Sequence, residues 1–267
     1  MGFAYEPWRR VFYPNNASSR HYLAHYSQVF NAVELDTTFY GTPRESTVRQ
    51  WAAQTPPDFQ FCPKTPRDVT HERGLSLAEG AGDAMAAFLD VMRVFGSRLG
   101  PVLIQLPPSF DSRQFRTLAA FLTELPSDLR YAVELRHPSW YVSSQIGSVP
   151  EDWTNLEHFF AQFRVAWVTL DYLTLPRQVT PTTDFLYIRW IGQHGRFVQR
   201  GSAEIDVSSK LAWWWEQLRP YVQQIPSIYG FFNDDYAGYA PATCNRFKVI
   251  AGMAVVEPEI PQQGTLF

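Results

Sequence analysis

The sequence has few cysteines and little net charge. The first shortage argues against disulfide-rich and cysteine-metal proteins, and the second argues against a general attraction to nucleic acid. Its two cysteines, Cys62 and Cys244, are far apart and lack the spacing of metal ligands, so neither a disulfide framework nor a cysteine metal site is indicated. The formal net charge of the 267 residues is -3, and the pI is about 6.1. The chain as a whole therefore does not attract nucleic acid, and a phosphate-bearing partner would need a local basic pocket.

Long hydrophobic runs are also missing. No apolar run approaches the roughly 18 residues of a membrane span, and the amino terminus lacks the basic segment followed by an apolar segment that marks a secretory signal. We therefore predict neither a membrane span nor secretion. A cytoplasmic protein fits best, because cysteines without partners persist in a reducing compartment.

Linkers and low-complexity segments are absent as well. We predict one domain over residues 1–257, followed by a flexible tail over residues 258–267 that is too rich in proline and glycine to continue a helix. Hydrophobic residues make up 45% of the sequence, which is enough to bury one large core. A doubly wound open sheet would carry a GxGxxG turn after its first strand, and this sequence has none.

Short apolar segments alternate with segments of helical periodicity, and this alternation predicts an α/β fold of the TIM-like (β/α) barrel type. The predicted strands cover residues 31–39, 59–64, 101–107, 131–135, 165–171, 185–191 and 227–233. The predicted helices cover residues around 20–30, 45–53, 82–95, 112–125, 153–163, 208–223 and 240–252, with Ser112 as a cap. Residues 1–8 contain no complete strand, so the first strand is predicted to be truncated or missing, with a gap or strained edge there.

The segment YAVELRHPSW, residues 131–140, shows how a predicted strand leads into a functional group. Val133 and Leu135 face one way, whereas Glu134 and Arg136 share the opposite face. Pro138 ends the strand, which places these charges at the carboxyl end, where a parallel α/β fold builds its sites.

The other predicted strands repeat this design, with one polar residue near each end. The catalytic candidates are Glu34, Glu134, His137 and Asp171. The candidates for binding an anion or substrate are Lys64, Arg67, His71, Gln105, Arg136, Arg189 and Asn233. We expect these side chains to converge at the carboxyl-end mouth of the barrel. The structural alternative is that these charges have no function beyond neutralising one another and holding the top of the barrel together. Buried ions persist only when they are paired.

Several long blocks of the sequence resemble the YecE-like family, domain of unknown function 72. They are GFAYEPW, FNAVELDTTFYGTP, KTPRDVTH, PVLIQLPPSF, YAVELRHPSW, YIRWIG and FFNDD, and together they cover nearly the whole chain. The resemblance implies a TIM-like barrel similar in fold to endonuclease IV and xylose isomerase relatives, an analogy that does not fix a function. The family opens with a strand ending in Gly-Thr-Ser-Gly-Trp, whereas this sequence begins at the equivalent of the second glycine and has Phe3 in place of the tryptophan.

Three chemistries compete for this site. Hydrolysis of a phosphate-bearing substrate, with nucleic acid among the candidates, would use Lys64, Arg136 and Arg189 to hold the anion. Glu134 or His137 would then act as the general base or acid. Glycoside hydrolysis would use Glu34 and Glu134 as its carboxylate pair, and a Schiff-base enzyme would use Lys64 with help from Arg67.

A binding module without turnover and a metal enzyme remain open beside these chemistries. The module would recognise nucleic acid or a phosphorylated ligand through the same mouth. His71 and His137, with Glu134 and Asp171, could hold one divalent ion, but the sequence requires no cofactor and leaves the metal unassigned.

The last five residues resemble the Gln-x-x-Leu-Phe peptide with which bacterial DNA polymerases and repair proteins bind the sliding clamp. The match is carried by Gln263, Leu266 and Phe267. We expect a synthetic tail peptide to bind the clamp with a dissociation constant in the micromolar range or somewhat weaker, as is typical of a short disordered segment. Replacing Leu266 and Phe267 by alanine should abolish binding, because both side chains would fill the apolar pocket of the clamp. Equal binding of the substituted peptide in a fluorescence-polarisation titration would contradict this hypothesis.

Overall fold

The structure is a computed structural model, and it describes residues 1–141, 155–198 and 200–256. The predicted tail, with Gln263, Leu266 and Phe267, lies outside the described residues. The strands are β1 (Ala32–Leu35), β2 (Gln60–Pro63), β3 (Val102–Gln105), β4 (Tyr131–Glu134), β5 (Val165–Trp167), β6 (Thr169–Asp171), β7 (Phe185–Trp190) and β8 (Ser227–Phe232). The helices are α1 (Tyr22–Val29), α2 (Glu45–Ala53), α3 (Ala81–Met92), α4 (Phe115–Thr123), α5 (Leu156–Gln162), α6 (Ser208–Leu218), α7 (Asp234–Ala237) and α8 (Ala240–Ile250).

All strand pairs are parallel, in the orders β1-β2, β3-β4-β5 and β6-β7-β8. Backbone hydrogen bonds also connect these sheets: the amide of Thr65 donates to Leu103 at 2.8 Å, and that of Val168 donates to Val133 at 3.0 Å. Helices separate most of the strands along the chain, as the sequence predicts for an α/β fold. These contacts favour the TIM-like barrel, which stays a prediction.

The chain start lies between the first and last strands. Residues 1–31 contain no assigned strand, although Arg9 and Tyr13 form one isolated bridge. Instead, the nitrogen of Met1 donates to the carbonyl oxygen of Phe232 at 2.8 Å, and that of Gly2 donates to Glu34 at 2.8 Å. Two residues thus supply backbone contacts at the edge where the sequence predicts a gap.

Two predicted strands are longer than the strands in the structure. The predicted strand 31–39 ends at Leu35, and Asp36–Phe39 form a 3-10 turn. The hydroxyl of Thr38 lies 2.7 Å from the carbonyl oxygen of Leu35 and accepts the amide hydrogen of Lys64 at 3.0 Å, which ties this turn to the end of β2. The predicted strand 165–171 is two strands, of which β5 pairs with β4 and β6 pairs with β7.

Two predictions about helix ends are wrong. Asp111, rather than Ser112, caps the turn before α4, because its carboxylate accepts the amide of Arg113 at 2.9 Å while Gln114 bonds back to the cap. The predicted helix 208–223 ends at Leu218, because a proline follows at position 220 and the chain continues as a 3-10 turn.

The two faces of the strands pack into different apolar clusters. The larger cluster lies between strands and helices and contains the stacked pairs Trp190 with Phe232 and Phe61 with Phe95. The smaller cluster is formed by side chains of the opposite strand faces, including Cys62, Leu103, Ala132, Ala166 and Tyr187. Because side chains alternate along a strand, Glu34, Glu134 and Arg189 share the face of this smaller cluster. Within the described residues, no helix is long and apolar enough to cross a membrane.

Candidate functional site

Arg189 of β7 binds two glutamates that come from distant parts of the chain. Its Nε and Nη2 atoms donate to the two carboxylate oxygens of Glu34 on β1, at 2.9 and 2.7 Å. Its Nη1 atom donates to Oε2 of Glu134 on β4. All three side chains are almost fully buried, with exposed fractions of 3% for Arg189 and 0% for both glutamates. A guanidinium that bridges two carboxylates offsets the cost of burying each of them.

Glu134 has a second cationic partner. Arg136 donates from Nε to its Oε1 atom at 2.5 Å, and the Arg136 guanidinium also lies 4.7 Å from the ring centre of Tyr172. Burial alone would raise the pKa of Glu134, but Arg136 and Arg189 outweigh it and lower this pKa to about 2. Glu134 is therefore ionised over the physiological pH range.

Glu34 is held by hydrogen bonds to both of its oxygens. Besides Arg189, the hydroxyl of Tyr187 donates to its Oε2 atom at 2.7 Å. Burial raises the pKa of Glu34, and Arg189 opposes this rise. Neither Glu34 nor Glu134 lines the neighbouring cavity, and both carboxylates are bound by arginines.

A cavity of about 520 Å³ opens beside this network. Of the residues predicted from the sequence, it is lined by Lys64, His71, Gln105, Arg136, Arg189 and Asn233. Its lining also includes Asp36, Phe39, Tyr40, His194, Arg200 and Asp235, which the sequence analysis did not select. The cavity thus collects cations from several strand ends, together with two carboxylates and aromatic rings.

Lys64, directly after β2, differs from the arginines of the cavity. Within the described residues, no carboxylate lies within 4.0 Å of its ammonium group, which instead sits 4.0 Å from the ring centre of Phe39. Burial lowers the pKa of Lys64 to about 8, and the positive charge of Arg189 adds to this effect. Lys64 therefore supplies a cation that a ligand can neutralise and whose charge is lost in mild alkali.

His71 lies on the π-helical turn Asp68–Glu72, next to the same cavity. Its Nδ1 atom is 2.8 Å from the hydroxyl oxygen of Thr70. Burial lowers the pKa of His71 to about 4, and Lys64 and Arg136 contribute to this shift. His71 is thus neutral at physiological pH and can exchange hydrogen bonds with a ligand without adding charge. A single π-helical turn often marks a functional site.

The side chains of Gln105 and Asn233 line the cavity and also form hydrogen bonds with the backbone. The Nε2 atom of Gln105 donates to the carbonyl oxygen of Leu106 at 3.1 Å. The Oδ1 atom of Asn233 accepts the amide of Asp235 at 2.9 Å and so caps α7. The Nδ2 atom of Asn233 lies 3.6 Å from the sulfur of Met1, so both polar atoms of its amide have contacts within the protein.

Asp171 ends β6 as the sequence predicts, and side chains of later elements bind its carboxylate. Its carboxylate accepts hydrogen bonds at 2.8 Å from Trp214, Tyr236 and Arg177, and Lys210 lies 2.9 Å away. It does not line the cavity. These partners come from α6, α7 and the loop after β6, so Asp171 connects the two helices to the end of β6.

His137 and Arg67 are also not brought into the cavity. The Nδ1 atom of His137 accepts the amide of Ser139 at 3.2 Å and lies 2.8 Å from its hydroxyl, so this nitrogen is used in the turn after β4. Arg67 points to solvent, with 62% of its side chain exposed, and pairs with Glu72 at 3.5 Å. Neither residue lines the cavity, so their predicted roles in it are not supported by the geometry.

The four residues that the sequence analysis considered for a divalent ion do not lie together. His71 lines the cavity, His137 binds its own turn, Glu134 is occupied by arginines and Asp171 is held by helices. Within residues 1–141, 155–198 and 200–256, no group of three or more histidine, cysteine or acidic side chains has an arrangement that could hold a metal ion. The four side chains have different neighbours in the structure, and the metal stays unassigned.

The sequence analysis missed several residues of the cavity. Asp36, with 30% of its side chain exposed, lies 3.9 Å from the Nη2 atom of Arg189. Asp235 contacts His194 and Arg200 at the far side of the network. A usable signal was present for both acids, because Asp36 follows Glu34 on the same side of its segment and Asp235 lies two residues after the predicted strand 227–233.

Comparison with known proteins places the whole chain in one family. A family model described as "Protein of unknown function DUF72" matches residues 1–265. The UPF0759 protein YecE of Escherichia coli (strain K12) is 28% identical over 270 residues, which cover 92% of each chain. The UPF0759 protein YunF of Bacillus subtilis (strain 168) is 30% identical over 133 residues, 48% of this chain and 47% of its own.

Solved structures show the same fold. A crystal structure of a DUF72 family protein from Thermotoga maritima MSB8 has a TM-score of 0.73 and 27% identity, and the match covers 94% of this chain and 96% of that one. A DUF72 family protein from Enterococcus faecalis V583 has a TM-score of 0.74 at 18% identity, with 98% and 97% covered. At that identity, the second likeness shows the fold alone.

Proposed function

This chain belongs to the DUF72 family, whose description states no function, and we propose from the geometry of its cavity that it binds and hydrolyses a phosphate-bearing substrate. Nucleic acid is one candidate class for that substrate. Recruitment to the sliding clamp through Gln263, Leu266 and Phe267 is a separate part of the proposal, and it is tested by the tail peptide.

The observation that carries the proposal is that the ammonium group of Lys64 has no carboxylate partner among the described residues. Each arginine that lines the cavity has a carboxylate partner: Arg136 binds Glu134, Arg189 binds Glu34 and Glu134, and Arg200 binds Asp235. Within the described residues, the ammonium of Lys64 has none. A partly desolvated cation at an open cavity attracts an anionic group, and a phosphate oxygen matches its three donors.

Arg136 is a second donor for the same anion. Its Nε atom is used by Glu134, whereas its Nη1 and Nη2 atoms have no hydrogen-bond partner among the described residues. The carboxylate and the Tyr172 ring fix the guanidinium, so it loses little conformational freedom when an anion binds. Lys64 and Arg136 together would therefore hold a phosphate more tightly than two mobile surface cations.

Arg189 takes a different role from the one predicted. Its Nε, Nη1 and Nη2 atoms are all engaged with Glu34 and Glu134, and Nη2 also lies 3.4 Å from the sulfur of Met1. Because its nitrogens are engaged in this way, the Arg189 guanidinium holds Glu34 and Glu134 in position and does not bind a ligand in this proposal. We therefore assign the anion contacts to Lys64 and Arg136 and the support of Glu134 to Arg189.

The geometry speaks against glycoside hydrolysis. That reaction needs one carboxyl group that is protonated near neutral pH and a second that reaches the sugar. Glu134 has a pKa of about 2, and Glu34 and Glu134 are both fully buried by arginines and Tyr187. Glu134 is therefore too acidic to be the acid of such a pair, and neither carboxyl group lines the cavity in which a sugar would bind.

A Schiff-base enzyme is the second candidate, because the lowered pKa of Lys64 also favours attack on a carbonyl. Sodium borohydride distinguishes the two functions. Reduction in the presence of a panel of small aldehydes and keto acids should leave the mass of Lys64 unchanged if the cavity binds phosphate esters. A reduced adduct on Lys64, found by peptide mass spectrometry, would favour the Schiff-base enzyme.

A substrate screen tests the proposed hydrolysis. The purified protein would be incubated with p-nitrophenyl phosphate, bis(p-nitrophenyl) phosphate, an oligonucleotide with one abasic site and p-nitrophenyl glycosides. We expect turnover of at least one phosphate substrate and of no glycoside. Binding of phosphate esters without turnover would favour the binding module, and no binding at all would contradict the proposal.

A further inference from the structure

A histidine and a carboxylate form a second ionisable pair at the cavity, apart from the arginine network. The Nδ1 atom of His194 lies 3.3 Å from the Oδ2 atom of Asp235, and both residues line the cavity. The Asp235 side chain is 4% exposed, whereas the His194 ring is 56% exposed. A buried carboxylate therefore faces an accessible imidazole, which is the arrangement in which an acid orients a proton-transferring histidine.

The loop that carries His194 is fixed against Asp235 by a glycine. Gly192, directly after β7 and Ile191, has a φ of +73°, and a Cβ atom at this position would lie 2.2 Å from the carbonyl oxygen of Asp235. Only glycine permits both this backbone conformation and this approach. The histidine two residues later is thus brought to the carboxylate by backbone packing, which is a stronger constraint than a chance surface contact.

Asp235 is itself held in place. Its amide donates to the side chain of Asn233 at 2.9 Å, and its Oδ1 atom lies 3.4 Å from Nη2 of Arg200. The other end of α7 is fixed where Glu204 donates its amide to the carbonyl oxygen of Ala237 at 2.8 Å. The carboxylate that faces His194 therefore has a defined position before any ligand binds.

We propose that His194 transfers the proton in the hydrolysis proposed above and that Asp235 is its positioning residue. An ionised carboxylate can only accept a hydrogen bond, so Asp235 selects the tautomer of His194 that carries its hydrogen on Nδ1. The other ring nitrogen, Nε2, is then a base, and it has no hydrogen-bond partner among the described residues. This assignment rests on the proposed function, because it names the base of that reaction.

The step balances with water as the only co-reactant. Nε2 of His194 accepts a proton from a water molecule as the water oxygen bonds to the phosphorus atom held by Lys64 and Arg136. The bond from phosphorus to the ester oxygen breaks, and that oxygen leaves with the bonding electron pair. The imidazolium then returns its proton to the leaving oxygen, which regenerates neutral His194.

The tautomer can be measured without a substrate. In protein labelled with ¹⁵N-histidine, the ring nitrogen shifts of His194 are assigned by comparison with His194→Gln in mildly alkaline buffer. We expect the hydrogen on Nδ1 in the native protein. In Asp235→Asn, the amide can donate to Nδ1, so the hydrogen should move to Nε2. The same tautomer in both proteins would overturn the role of Asp235.

Kinetics on a phosphate ester that the protein turns over tests the role of His194. We expect kcat of His194→Ala to fall about 100-fold or more, with KM little changed and with partial rescue by added imidazole. His158→Ala, which removes an exposed histidine on α5, is the matched control and should keep full activity. An unchanged kcat in His194→Ala would overturn the proposal. If no phosphate ester is bound or hydrolysed by the native protein, the proposed function fails, whereas the tautomer measurement still decides the pairing.

Discussion

Replacing Arg189 by methionine is expected to lower the free energy of unfolding by about 3–5 kcal/mol at neutral pH. The guanidinium of Arg189 is the charge that lies between Glu34 and Glu134, and both carboxylates are fully buried. Without it, Glu34 has no other cation within 4.0 Å among the described residues, whereas Glu134 keeps Arg136. Methionine fills much of the same volume, so the loss reports the uncompensated charge and not a cavity.

The free energy of unfolding that Arg189→Met loses should become smaller as the pH falls from neutral to about 5. In the native protein, the pKa of Glu134 falls from 4.5 to about 2, so this residue contributes stability above pH 4.5 that is lost as the pH falls toward 2. In Arg189→Met, burial dominates and raises the pKa of Glu34 further, which favours the protonated folded state. The variant should therefore recover part of its deficit on acidification from neutral pH to about pH 5, as measured by urea unfolding.

Two variants serve as controls for this prediction. Arg189→Met combined with Glu34→Gln removes both charges of the pair and should be more stable than Arg189→Met alone. Arg116→Met removes an exposed arginine of α4 and should change stability by less than about 0.5 kcal/mol. If Arg189→Met unfolds no more easily than Arg116→Met, the network is not what holds these strands together.

Replacing Lys64 by alanine is expected to weaken the binding of a phosphate ester by at least about tenfold, which corresponds to about 1.4 kcal/mol. Lys64 is the cation of the cavity that has no carboxylate partner among the described residues, so its loss removes charge that no neighbour restores. The fold should be retained, because the folded state already disfavours the charged form of this lysine. Isothermal titration with p-nitrophenyl phosphate measures the change.

The pH dependence of binding identifies Lys64 as the residue responsible. With its pKa held at about 8, Lys64 loses its charge as the pH rises through that value, so affinity should decline there. A phosphate monoester stays doubly ionised over this range, because its second pKa is about 6. Lys64→Arg should keep binding without the decline, since arginine stays charged. Equal affinity of Lys64→Ala and the native protein would remove the reason for assigning a phosphate to this cavity.

The faces of the strands could be predicted from the sequence, but the partners of each charge could not. Alternation places Glu34, Glu134 and Arg189 on the face opposite the large core, as observed. Their pairing joins positions that are 155 and 55 residues apart along the chain. No local pattern determines which acid meets which base over such distances, so the sequence could not tell that Arg189 would be fully occupied and Lys64 left without an acid.

Hydrogen bonds to distant parts of the chain explain why some predicted site residues do not line the cavity. Asp171 ends its strand as predicted, but Trp214 and Tyr236 on later helices capture its carboxylate. His194 was missed because it lies in a loop without periodicity, where its position depends on the glycine two residues earlier. Asp235 lies within the FFNDD block, but its pairing with His194 depends on the loop after β7, which contacts Asp235 at Gly192.

The claim that Lys64 and Arg136 bind a phosphate group in the cavity is tested most directly by the position of a bound phosphate analogue. Crystals of the protein would be soaked with tungstate, an oxyanion with the tetrahedral shape of phosphate, and the metal located by its anomalous scattering. The account predicts a peak in the cavity with oxygens within hydrogen-bond distance of the Lys64 ammonium and the Arg136 guanidinium, and no such peak in Lys64→Ala. Tungstate bound only elsewhere on the protein, or in the cavity to the same extent in both proteins, would contradict it.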